Sequence, residues 1–247
     1  MMKKSRPKLL SSNVILLMII SLIIPSDCFT SKSSNIKKNQ DRRRAEVNAV
    51  KIEGYDEAFE VIDQCAMSGE PSDNLYDAVR FVDKNAIKIY PDLKHKQELW
   101  NKAHGSWKLQ LATGGGKFKD FKAVPIFAFA MIDEENFGNG IGLNEKLIIL
   151  SLLGPHEFKD KWRQMVISID DLFLFGSDVT GFVPSFVGNG IGLRKRSSDF
   201  KENGQRPPAF TFIGASGDSL IARGGSGGIA IWTRLKDDIR PAAYGTD

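Results

Sequence analysis

The sequence predicts a mainly β fold, an antiparallel barrel preceded by two or three short α-helices. Three observations predict it. Apolar residues recur at helical spacing between Glu46 and Ala103, and from Gly105 onward they alternate with polar ones. Gly, Asn and Pro clusters then cut the second half into short segments with no helical crossover between them, which favours a closed meander, with a two-sheet sandwich as the alternative.

Composition narrows the class first. At 247 residues, 42% hydrophobic and 26% charged, with two cysteines, the chain has too few Cys for a disulfide scaffold and too much apolar content for a disordered one. It also lacks the several apolar spans of a membrane bundle, which leaves one ordinary domain plus appendages. The net charge of +4 hides a split: residues 1–44 hold ten Lys and Arg against Asp27 and Asp41, leaving 24 basic against 28 acidic side chains in the remainder. Phosphate binding needs positive charge on the folded surface, so nucleic acid is not an expected partner.

The head reads as an address. Lys3 to Lys8 form a cationic stretch, and the mainly apolar run Val14 to Ile24 ends at Pro25. At about 1.5 Å per residue that run spans roughly 16 Å, short of a bilayer core of about 30 Å. Residues 1–28 therefore read as a cleaved signal peptide with the cut after Cys28, which leaves Cys65 alone in the mature chain. Residues 29–44 are Ser-rich, basic and nearly free of acid, the composition of an organelle transit peptide. The pair resembles the bipartite presequences of algae whose plastids lie inside extra membranes, where Phe follows the signal cleavage site as Phe29 does. That resemblance implies a plastid location.

Residues 45–104 form the helical region. Val47, Val50, Tyr55, Phe59, Ile62 and Cys65 step by three and four, and a helix is expected over Asp56 to Met67, with Cys65 as a small buried hydrophobe. Ser72 or Asp73 can cap a second helix whose Leu75, Ala78, Val79 and Val82 share a face, and Pro91 ends it. A third, Lys94 to Ala103, turns Leu99 and Trp100 inward and runs into Gly105 as a left-handed cap.

Residues 105–236 carry the strands, followed by a tail, 237–247. Trp107, Leu109 and Leu111 alternate with Ser106, Lys108 and Gln110, and Thr113 to Lys117 turns the chain. Further strands are expected at Phe118–Val124, Ile126–Ile132, Leu147–Leu152, Gln164–Asp170, Leu172–Phe175, Ala209–Ile213, Leu220–Ala222 and Ile229–Leu235. The hexapeptide Gly138-Asn-Gly-Ile-Gly-Leu143 returns as Gly188-Asn-Gly-Ile-Gly-Leu193, and Asn-Gly reads both copies as hairpin turns.

Motifs for chemistry mostly fail their own requirements. Gly224-Gly-Ser226-Gly-Gly228 fits G-x-S-x-G, but a strand follows Ser226 where the hydrolase elbow needs a helix, and all three histidines precede it. The Gly114–Gly116 and Gly138–Gly142 runs open no helix, and three scattered His offer no zinc spacing. No metal, cofactor or catalytic residue is assigned, and nothing selects a pair of carboxylates. The run Leu147 to Leu153 is apolar on both faces and reads as core, while Phe182 and Phe186 sit in a Pro-broken loop where they can contact a membrane or lipid.

From Asp73 to Leu235 the chain resembles the plastid lipid-associated proteins, or fibrillins, built on a lipocalin-like barrel. The likeness rests on the entry strand Gly105-Ser-Trp-Lys-Leu-Gln-Leu-Ala-Thr113, the block Arg163-Gln-Met-Val-Ile, and the close Ile221-Ala-Arg223 to Ile231-Trp232-Thr-Arg234. It implies that Trp107 is covered by an Arg of the final strand, Arg234 with Arg223 as competitor. It also implies a non-enzymatic protein that binds or organises isoprenoid lipids such as quinones or carotenoids at thylakoid membranes or plastid lipid droplets (plastoglobules). The expected cavity liners are Leu109, Leu111, Phe127, Phe129, Ile167 and Phe212. The rival readings are a coat or assembly protein with a filled barrel and a lipid-modifying enzyme with carboxylates at the mouth.

Overall fold

The computed structural model describes residues 54–113, 120–225 and 227–236. The presequence, the Gly114–Lys117 turn, Ser226 and the tail lie outside the described residues.

Three helices come first: α1 (Tyr55–Ser68), α2 (Leu75–Ile89) and α3 (Leu93–Ala103). Gly69, at φ 72°, donates its backbone N–H to the Cys65 carbonyl and closes α1. Neither Ser72 nor Asp73 is the N-cap of α2, which is Asn74. Asp92 caps α3 by accepting from the His95 backbone N–H.

The strands are β1 (Gly105–Thr113), β2 (Phe121–Ala123), β3 (Phe127–Ile132), β4 (Asn136–Asn144), β5 (Leu147–Lys159), β6 (Gln164–Ile167), β7 (Asp171–Leu174), β8 (Ser177–Asp178), β9 (Ala209–Ala215), β10 (Ser219–Gly224) and β11 (Ile229–Arg234). Pairing runs β4-β3-β1-β11-β10-β9-β6-β5, and β5 pairs with β4, so eight antiparallel strands close on themselves. β2 adds to β1, while β7 and β8 add to β5. The chain therefore forms a closed antiparallel barrel, and not a sandwich.

Between β8 and β9 lie two short helices, α4 (Ser185–Ile191) and α5 (Ser197–Glu202). The expected Phe182–Val187 loop is thus a 3-10 turn, Thr180–Phe182, leading into α4. The two hexapeptide copies are not hairpin turns. The first runs through the middle of β4, and the second lies in α4 with Gly192, at φ 74°, as its left-handed cap.

Ring contacts between strands that are not neighbours identify the inside. Phe137 on β4 meets Phe210 on β9, and Phe210 meets Trp232 on β11, with centroids 5.9 Å apart in both cases. Residues in register with these three share the inner face. The opposite face carries α1 and α2, whose Phe59, Ile62, Val79 and Val82 pack with Leu111, Ile213, Ile221 and Ile231. Gly214 permits that approach, because a Cβ there would lie 2.8 Å from the Phe59 ring. Polar ties hold the helices in place: Ser216 and Ser219 both donate to one Asp63 oxygen, and Arg223 pairs with Asp83 at 2.6 Å.

Candidate functional site: the open end of the barrel

One end of the barrel is plugged from the residues upward. Trp107 is fully buried, donates its indole N–H to the Ala103 carbonyl at 2.8 Å, and lies 4.1 Å beneath the Arg234 guanidinium. Arg234 also donates to the carbonyls of Lys102, His104 and Gly217, so it covers the C-terminal end of α3 as well as the ring. Arg223 is engaged on the outer face and is not the covering residue. Gly105, at φ 123°, makes room, since a Cβ there would lie 2.6 Å from Arg234 Nη1. Trp100 of α3 completes the plug, stacking on Phe158 at 4.4 Å and touching His104, His156 and Phe212.

Above this layer the Phe137, Phe210 and Trp232 rings form a floor. Beyond the floor, three of the six inward positions are alanine. Strand register turns Leu109, Ala112, Ala128, Ile141, Leu150 and Ala230 into the same space. Of these, Leu109, Ala112, Ile141 and Ala230 are only half-buried, although they point away from the outer surface. Inward apolar groups that keep access to solvent mark an interior the side chains do not fill. The inward side chains thus pack tightly around the aromatic rings and keep partial access to solvent beyond them.

One polar side chain stands in that apolar wall. Asn139 lies on β4 between Ala130 and Leu152, two residues beyond Phe137 on the inner face, and is half-buried. No hydrogen-bond partner for its amide occurs among the described residues. A group with two donors and an acceptor in a dry wall can orient the polar head of an otherwise apolar guest.

The expected liners divide into two sets. Leu109, Ile167 and Phe212 face inward: Leu109 above the floor, Ile167 opposite His156, and Phe212 within the plug. Leu111, Phe127 and Phe129 do not line the interior. A β-bulge between Leu109 and Leu111 reverses the alternation in β1 and delivers Leu111 to the helices. Phe127 and Phe129 lie on the outer face with Ile148 and Leu235, and the Phe129 ring covers Gly140, where a Cβ would meet it at 2.8 Å. Phe182 and Phe186 are both strongly exposed. Cys65 is buried, and its thiol donates to Ser72 Oγ.

Sequence reasoning missed Asn139, because the Asn-Gly pair suggested a turn. The available signal was the Phe137, Asn139, Ile141 alternation that runs into the hexapeptide and puts three non-glycine residues on one face. Among the described residues no group of three or more His, Cys, Asp or Glu could hold a metal, and no helix is long and apolar enough to cross a membrane.

Two solved structures are distantly similar to the chain. The chain is similar to a lipocalin-like protein from Bacteroides uniformis, at 15% identity and a TM-score of 0.34, over 54% of this chain and 99% of that one. It is also similar to an uncharacterized protein from Bacteroides eggerthii, at 13% identity and a TM-score of 0.35, over 53% and 98%. No family model and no curated protein matches, so the fibrillin resemblance gains no support there.

Proposed function

We propose that this protein is a non-enzymatic carrier or organiser of an isoprenoid lipid, held in the open half of its barrel. The observation that carries the reading is the half-exposed apolar wall of Leu109, Ala112, Ile141 and Ala230 above an aromatic floor, with Asn139 as its polar group. Transfer of an apolar tail into such a space contributes about 25 cal/mol per Å² removed from water, less the cost of ordering both partners. A quinone or carotenoid end ring matches the combination of aromatic floor and single amide. The bipartite head supports a plastid destination, with thylakoid membranes or lipid droplets as the source of the guest and Phe182 and Phe186 as contacts with lipid.

The test is mass spectrometry of small molecules that co-purify with the mature chain from its own organelle. An isoprenoid quinone or carotenoid in near-stoichiometric amount is the expected result. A chain that floats with lipid droplets but carries no such molecule would support the coat reading, which the filled lower half of the barrel favours.

A further inference from the structure

The rim of the open end carries apolar side chains that no function has yet used. Ile126 precedes β3, Leu143 and Leu147 flank the β4–β5 turn, and Phe175 follows β7, with its N–H on the Ile149 carbonyl. They are 38%, 70%, 45% and 63% exposed. All four stand at the end of the barrel where Ala112, Ile141 and Ala230 face the interior. Ile126, Leu143 and Leu147 also wall a groove of about 610 Å³, with Phe127 among its lining and Lys108 and Lys146 on it against Glu145. Lys122, on β2 two residues before Val124 of the same groove, is exposed as well.

We propose that this rim docks onto a lipid surface bearing acidic head groups, with Ile126, Leu143, Leu147 and Phe175 entering the interface and Lys108 and Lys146 meeting the head groups. The inference rests on the lipid-carrier reading and supplies what it lacks, a way for an apolar guest to pass between membrane and cup without crossing water. Three separate turns presenting apolar tips at one level suit a planar interface, and the basic excess on the groove selects anionic lipid over a neutral surface. The long lysine stems add apolar area while their ammonium groups stay in the head-group layer.

Hydrogen exchange on the full chain tests this locally, so that binding through the apolar presequence does not interfere. Vesicles of phosphatidylglycerol in phosphatidylcholine should slow exchange several-fold in peptides covering 141–149 and 174–178, and vesicles of phosphatidylcholine alone should do so far less. The Leu143→Asp/Leu147→Asp variant should lose that slowing, with apparent affinity at this rim down tenfold or more. Lys108→Glu/Lys146→Glu should weaken it several-fold and flatten its salt dependence. Slowing confined to another surface, such as 180–187, would overturn the proposal. So would slowing at the rim that grows with protein concentration without vesicles, because the occupant would then be a second copy. Saturable quinone quenching of tryptophan fluorescence in vesicle-free buffer, in a Trp162→Phe background, reads the cup separately. A chain that docks but takes no quinone fails as a carrier and keeps the rim, and the converse result removes the rim alone.

Discussion

Arg234 joins three parts of the molecule through one guanidinium. It sits over Trp107 of the first barrel strand, accepts its place on the last, and donates to carbonyls at the end of α3. Replacing it with Met keeps the stem but leaves three carbonyls without their donor. Charge-assisted hydrogen bonds and a cation–π contact of this kind predict a loss of about 2–4 kcal/mol, read as a lower urea midpoint at unchanged slope. Gly105→Ala should destabilise by the same route, since its φ of 123° and the 2.6 Å approach to Arg234 leave no room for a methyl group. His104, in the same plug, has its pKa lowered, first by burial and then by the neighbouring His156. The unfolded chain therefore binds a proton there more readily than the folded one. Stability is complete above the ordinary histidine pKa of about 6.5 and falls as pH drops through that value toward the lower folded pKa. Urea unfolding at pH 7.5 and pH 5.5 should show the decline, and His104→Phe should shrink it.

At the scale of elements, the repeated hexapeptide gives a paired prediction of opposite sign. Gly140 and Gly190 occupy equivalent positions in the two copies. A Cβ on Gly140 would lie 2.3 Å from the Leu150 carbonyl oxygen, so Gly140→Ala should cost about 1–3 kcal/mol by displacing β4 from β5. A Cβ on Gly190 meets nothing within 4 Å inside α4, so Gly190→Ala should stabilise by about 0.5–1 kcal/mol. Thermal melts of the two variants check both signs. The same pair shows where sequence reasoning stops. Gly-Asn-Gly-Ile-Gly-Leu carries no strong preference of its own, so Phe127, Phe129 and β5 draw the first copy into a strand while Pro184 starts the second as a helix. Helices with a long apolar stripe were legible, because tertiary packing only reinforces a spacing already present. The inner face of β1 was legible as far as Leu109 and misread beyond it, since one bulge residue reverses the alternation without a glycine to announce it. For Phe127 and Phe129 the error was of another kind: large aromatics suggested a lined interior, but Gly140 on β4 lets Phe129 lie buried on the outside with Phe127 stacked beside it.

The whole molecule divides its aromatic content by depth. Trp100, Trp107, Phe158 and Phe212 make the lower half solid and anchor the helices, and Phe137, Phe210 and Trp232 stop the interior from being filled further. Ala112, Ala128 and Ala230 hold three of the six inward positions above, where bulkier residues would fill more of the space. The proposed cup depends on its small side chains and should be removable without harm to the plug: Ala230→Phe fills it from β11, one step above Trp232 on the inner face, and should leave the unfolding free energy within about 1 kcal/mol of wild type. The most direct measurement is a titration of the mature chain, carrying Trp162→Phe to remove the exposed tryptophan, with a short-chain quinone, followed by tryptophan fluorescence against the Ala230→Phe variant in the same background. The account predicts saturable quenching at one quinone per chain in the wild type and its loss in the folded Ala230→Phe protein. Equal, unsaturable quenching in both would contradict it.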